Sequence, residues 1–277
     1  MSEIIQQTSK PRTRSTMKQE FRKLGLKEGS TVIVHSSLSS LGWVVGGAVA
    51  VVQALMDVVE ETGTIVMPTH TAELSDPSEW ANPPVPESWW ATIREEMPAF
   101  HPSYTPTFYM GKIAETFRTF PGVVRSNHPF VSFAAWGKLS EDITMDHSLS
   151  YGLGEDSPLG RLYEYDGQVL LLGVGYDNNT SFHLGEHHAP HQQQIVRSAP
   201  IEVRGQRVWK RYADIEYKDE LFVQIGQDFE EHHQVRTGMV GSATTKLFGA
   251  RDAVDFCQSW LREKDEMTIK RLIELES

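Results

Sequence analysis

The segment Gln168-Val169-Leu170-Leu171-Leu172-Gly173-Val174 constrains this chain more than any other. Successive side chains of a strand point to opposite faces, so an unbroken apolar run is buried on both. That is the situation of an inner strand in a sheet covered by helices on both sides. Thr31-Val32-Ile33-Val34-His35 and Thr64-Ile65-Val66-Met67 read the same way. Between them, residues 47 to 61 carry helical spacing, and Gly63 ends the run. A strand, a helix and a second buried strand make a parallel pair. The expected fold is α/β: a single compact domain with a mixed, largely parallel sheet covered by helices on both faces.

The flanking segments fit that plan. Helices are predicted over 15–24, with Ser15 as N-cap, over 112–120, 219–231 and 250–264. Another is opened by Ser157 as cap and Pro158 at the first helical position. Residues 133–136 read as a strand, and 201–212 as a hairpin turning at Arg204-Gly205-Gln206. Residues 1–12 read as a flexible tail and 13–277 as the domain. Within it, 68–107 is rich in Pro and Trp, and Asn82-Pro83-Pro84-Val85-Pro86 excludes regular structure there. A long irregular stretch inside a compact domain is usually functional.

The 277 residues are 39% apolar and 10% aromatic, which excludes a disordered chain. Against 26 Lys and Arg stand 37 Asp and Glu, a formal charge of −11. Such a surface repels nucleic acid and anionic lipid and suits a small polycationic substrate. No apolar run approaches the ~20 residues of a membrane span, and Met1–Lys18 lacks the apolar core of a secretory signal. With one cysteine, Cys257, no intrachain disulfide can form, and a cytoplasmic location is expected. Cys257 sits at helical spacing among apolar residues and reads as core.

Two segments carry chemistry. The loop after the first strand, His35-Ser36-Ser37-Leu38-Ser39-Ser40-Leu41-Gly42-Trp43-Val44-Val45-Gly46-Gly47, runs into a helix N-terminus. Free N–H groups, the helix dipole and serine hydroxyls there suit an anion, although the loop matches neither common nucleotide-binding fingerprint. The second segment follows the most buried strand: Thr180-Ser181-Phe182-His183-Leu184-Gly185-Glu186-His187-His188-Ala189-Pro190-His191. Thr180 or Ser181 caps a short helix that stops before Pro190. His183 and Glu186 then share a face, and a carboxylate beside an imidazole orients it as a general base. The same residues permit two other readings. One is a solvated surface helix. The other is a zinc hydrolase, since His183-x-x-Glu186-His187 satisfies an H-x-x-E-H zinc motif.

Several segments, in order from about Gly29 to Leu261, resemble the aminoglycoside 3-N-acetyltransferase family. They are His35-Ser36-Ser37-Leu38-Ser39-Ser40-Leu41-Gly42 with Gly46-Gly47; Asp76-Pro77-Ser78-Glu79-Trp80; Asn82-Pro83-Pro84-Val85-Pro86; Arg125-Ser126-Asn127-His128-Pro129; Gly154-Glu155-Asp156-Ser157-Pro158-Leu159; and Asn179-Thr180-Ser181-Phe182-His183-Leu184-Gly185-Glu186. The resemblance implies an α/β fold distinct from acetyltransferases with a Q/R-x-x-G-x-G/A phosphate loop. It implies acetyl-CoA as donor, no metal, and the 3-amine of a 2-deoxystreptamine antibiotic as acceptor, with antibiotic resistance as the role.

His183 is then the base and Glu186 its partner. Ser36, Ser37, Leu38, Ser39, Leu41, Gly42, Val45, Gly46 and Gly47 would hold CoA, with Arg125 and Ser126 at a phosphate. Asp76, Trp80, Glu155, Asp177 and Glu186 are the acceptor-site candidates. His35 and His128 read as packing or turn residues, and His187, His188 and His191 as structural or solvated. The same fold acting on another amine is the neighbouring reading.

Overall fold

The apolar runs form adjacent strands. In the computed structural model, which describes residues 3–190 and 192–264, β1 (Thr31–Ser36) lies between β2 (Thr64–Pro68) and the strand Gln168–Leu172, parallel to both. The other strands are β3 (Val124–Arg125), β4 (Phe133–Gly137), then β5 (Gln168–Leu172), β6 (Gln194–Val203), β7 (Gln206–Ile215), β8 (Arg236–Val240) and β9 (Ala243–Gly249). The main sheet has seven strands in the order β3-β4-β2-β1-β5-β9-β8. It is mixed: β4 and β9 run antiparallel to the parallel centre, and β3 and β8 close the edges. β6 and β7 form a separate two-stranded hairpin, longer than its predicted span.

Ten helices are described: α1 (Glu3–Gln7), α2 (Arg14–Leu24), α3 (Gly47–Val59), α4 (Trp90–Glu96), α5 (Gly111–Phe117), α6 (Ser140–Thr144), α7 (Pro158–Glu164), α8 (Ser181–His188), α9 (Phe222–His232) and α10 (Ala250–Glu263). The sheet is covered on both faces. Val32, Val34, Ile65, Met67, Leu170 and Leu172 pack against α2, α3 and α5. Ile33, Val66, Val169 and Leu171 pack against α7, α8, α9 and α10. This alternation is why the central strands had to be apolar throughout.

Some local expectations are corrected. Helix α2, expected over 15–24, starts one residue early because Thr13, not Ser15, caps it and forms a capping box with Thr16. Residues 8–12 do not behave as a tail: Arg12 pairs with Val44, and Thr8 Oγ1 accepts a hydrogen bond from the Trp43 N–H. Ser157 caps α7 as expected. His191 lies outside the described residues. The Pro/Trp-rich stretch is largely irregular but contains α4. Cys257 is fully buried between α10 and α8, its thiol aimed at the Phe182 carbonyl. A Cβ on Gly185 would stand 2.7 Å from that of Cys257, so the two helices meet there without intervening side chains.

Candidate active site

The three parallel strands end at one edge of the sheet, where open α/β sheets bind ligands. The loops leaving β1, β2 and β5 surround a cavity of about 800 Å³. Ser37 extends the β1–β5 ladder by donating to the Leu172 carbonyl. Beyond it the hydroxyls form a short chain, Ser40 Oγ donating to Ser37 Oγ (2.9 Å), which lies 3.1 Å from Ser39 Oγ. At Gly173 the backbone is left-handed (φ +71), and a Cβ there would stand 2.7 Å from that of Ser40. Only glycine lets the β5 turn approach the serine loop so closely. Gly46 and Gly47, both at positive φ, then launch α3, and Gly47 faces the cavity. The positive end of a 13-residue helix thus opens toward it.

Ser36, Ser37, Leu38, Ser39, Gly42 and Gly47 line this cavity. Leu41 does not, being fully buried in the core on the α3 side. Val45 lies off the lining and donates its N–H to the Arg12 carbonyl, and Gly46 also stands outside it.

The β5 turn delivers α8 to the same cavity. Its start is capped neither by Thr180 nor by Ser181; buried Asn179 accepts from the Ser181 N–H instead (3.3 Å). His183, in the first turn, lines the cavity. Its Nδ1 lies 2.6 Å from Glu186 Oε2. Glu186 is fully buried, and its second oxygen accepts from the Lys218 N–H at 2.7 Å. A carboxylate bound this way keeps the imidazole proton on Nδ1 and leaves Nε2 as the basic nitrogen. Because both its oxygens are engaged and buried, Glu186 serves His183 and is not available to hold an acceptor.

Two further histidines stand at this cavity. Burial lowers the pKa of His35 and of His70 to about 3, with the charge of His183 as the second cause, so both are neutral imidazoles. Among the described residues, each has a buried Nε2 without a partner. Such groups are expensive to bury and fit a site that receives a polar ligand. His35 was read as packing; His70, in the irregular stretch, gave no periodic signal. Asp177 lines the cavity together with Asp219, which sequence reasoning had absorbed into a helix start.

The remaining candidates lie elsewhere. Arg125 spends its guanidinium on protein acceptors, the carbonyls of Thr69 (2.6 Å) and Thr105 (2.5 Å) and the hydroxyls of Thr69 and Ser132, and lies over the Phe100 ring. Burial lowers its pKa to about 10. Ser126 is buried, accepting from the Phe133 N–H and bonded to His147. Neither lines the cavity, and the bonds of both run to neighbouring protein groups. Asp76 pairs with Arg94 and caps a turn at Ser78, and Trp80 donates to Ser75. Glu155 pairs with His188 beside a second cavity of about 530 Å³. His128 accepts from the Phe130 and Val131 N–H groups, a turn role as expected.

His187 lines that second cavity, whereas His183 lines the first. The pair that the zinc reading needs is therefore divided, and among the described residues no three His, Cys, Asp or Glu side chains are grouped to hold a metal. Among those residues, too, no helix is long and apolar enough to cross a membrane.

A serine-lined cavity that includes an imidazole bonded to a buried carboxylate, at the carboxyl edge of a mixed sheet, is the ligand site of an α/β enzyme. The chain belongs to the aminoglycoside 3-N-acetyltransferase family, whose model matches residues 33–262. It is similar to the SPbeta prophage-derived aminoglycoside N(3')-acetyltransferase-like protein YokD of Bacillus subtilis, 54% identical over 98% of this chain and 100% of that one. The YokD crystal structure superposes with a TM-score of 0.95, covering 96% of this chain and 98% of that one. It is also similar to aminoglycoside N(3)-acetyltransferase VII of Streptomyces paromomycinus, 37% identical over 94% of this chain and 95% of that one. A solved structure described as AAC-IIIb binary with CoASH is 30% identical, with a TM-score of 0.83 over 92% of this chain and 97% of that one.

Proposed function

We propose that this enzyme moves the acetyl group of acetyl-CoA to the 3-amine of a 2-deoxystreptamine aminoglycoside by direct attack, with His183 as general base and drug resistance as its cellular role. The observation that carries this reading is the bond of His183, which faces the serine-lined cavity, to buried Glu186. The hydroxyls of Ser36, Ser37 and Ser39 and the start of α3 suit the pyrophosphate and pantetheine arm of CoA. Acetyl-CoA, when bound, supplies an acyl group activated as a thioester.

The chain's own residues do the rest. Asp177 and Asp219 face the ammonium groups of the acceptor. His183 Nε2 takes the amine proton as the C–N bond forms and the C–S bond breaks, and Glu186 stabilises the imidazolium through Nδ1–H. Hydroxyls and N–H groups of the Ser36–Ser39 loop donate to the carbonyl oxygen as it gains charge. No covalent enzyme intermediate is required: Cys257 is buried, and burial pushes its thiol pKa up.

The test is release of free CoA thiol with acetyl-CoA and a panel of aminoglycosides, beside simple diamines and polyamines. Turnover on 2-deoxystreptamine compounds, with mass spectrometry locating the acetyl group at the 3-amine, supports the proposal. Turnover confined to other amines overturns its acceptor and its resistance role.

A further inference from the structure

One hydrogen bond fixes His183 at Nδ1 but leaves its ring free to swing about that contact. Two aromatic rings remove this freedom. Tyr217 lies against the imidazole with ring centres 4.5 Å apart at 54°, and Phe222 lies 4.8 Å away at 59°. Tyr217 is itself pinned at its far end. Its hydroxyl donates to Asp214 Oδ1 (2.9 Å), which also accepts from the Ile215 N–H. Asp214, 2% exposed, accepts from Arg197 Nε through its other oxygen at 3.0 Å. The Arg197 guanidinium in turn covers the Tyr217 ring at 5.5 Å and the Phe130 ring at 4.9 Å. A phenylalanine at 217 would fill the space but forgo the anchor.

We propose that Tyr217 is a positioning residue: held by Asp214 and Arg197 of the β6–β7 hairpin, its ring sets the plane of the His183 imidazole and so the direction of Nε2. The inference rests on the reading of His183 as base. A ring that tilts misdirects the Nε2 lone pair, and misplacement of about 1 Å is enough to cost ~10²-fold in rate. Binding of either substrate does not depend on that tilt. The signature is therefore a loss in kcat without a matching change in KM.

The experiment compares Tyr217→Phe and Tyr217→Leu in the full chain, with thermal melts to verify folding. It follows kcat, both KM values and the downfield proton resonance of His183 Nδ1–H. Tyr217→Leu is expected to lose roughly 10- to 100-fold in kcat, keep both KM values within about threefold and broaden the resonance. Tyr217→Phe, which keeps the ring and its Arg197 cover but loses the Asp214 bond, is expected to lose kcat by about two- to fivefold, less than Tyr217→Leu, on the same scale. The proposal is overturned if Tyr217→Leu keeps wild-type kcat, if its loss lies in KM, or if the resonance is unchanged while kcat falls. Should Tyr217→Leu fail to fold, Tyr217→Met is read by the same criteria. His183→Ala separates the two levels. If it keeps normal turnover, the base assignment fails. If it is inactive while Tyr217→Leu is normal, only the positioning role fails.

Discussion

His183 and His187 stand one turn apart on α8, are chemically the same residue and both lie beside the Tyr217 ring, yet they differ in carboxylate partner and in the cavity they face. His183 bonds to a buried carboxylate, packs between two aromatic rings and faces the larger cavity. His187 faces the smaller cavity with a buried Nε2 that finds no partner among the described residues, and burial lowers its pKa to about 4. A carboxylate placed to accept from Nδ1 suits one imidazole to the base role proposed for it; the other, without such a partner among the described residues, is a neutral ring. Spacing alone gives both histidines the same face and cannot tell them apart.

The largest effect that sharpens this contrast is His183→Ala, expected to lower kcat by ~10²–10⁴-fold with KM for acetyl-CoA little changed. Normal turnover in steady-state assays would break the contrast at once. Glu186→Gln comes next. The amide carbonyl can still accept from the Lys218 N–H, which turns the NH₂ toward His183 Nδ1. The neutral imidazole must then carry its proton on Nε2, the wrong tautomer for a base. A kcat loss of roughly 10²-fold or more is expected, with the Nδ1–H resonance lost.

Stability should respond to pH through the second kind of histidine. His35 and His70 (pKa about 3) and His147 and His187 (about 4) lie below their ordinary value of 6.5, burial being the first cause in each case. Below pH 6.5 the unfolded chain binds protons that the folded one refuses. Stability is therefore fully present above that pH and falls between about pH 6.5 and 3. Melting temperatures across this range should drop steadily, and His70→Gln should flatten the slope. The smallest effect belongs to His187→Gln, with kcat within about twofold of wild type because no proton transfer passes through it; a tenfold loss in the same assay would erase the distinction.

The centre of the fold was legible because β1, β2 and β5 are buried on both faces and the helix between the first two is regular. β8 and β9 were not. Arg236-Thr237-Gly238-Met239-Val240 is a largely exposed edge strand with no alternation, and β9 mixes Thr and Lys into its apolar positions. The hairpin outside the main sheet was found but cut short, since its buried base, Ser198-Ala199-Pro200 on one strand and Asp214-Ile215 on the other, mixes polar residues and a proline that hide its burial in the sequence. At the site, the serine loop and the His183–Glu186 pair were visible as local patterns. His70, Asp219 and Tyr217 were not, because each reaches the site through chain folding rather than spacing. Arg125 and Ser126 were expected at a phosphate from the family resemblance, and only the folded chain reveals the carbonyls that engage the guanidinium and the position of both off the cavity lining.

The burial of Cys257 between α8 and α10 has a practical consequence. The product of acetyl transfer from CoA is a free thiol, and the chain's single cysteine is shielded from solvent while folded. A thiol-reactive dye added to the native enzyme therefore counts turnover without a protein background. One additional equivalent should react when the helices separate, so the same reagent registers catalysis and unfolding in a single cuvette.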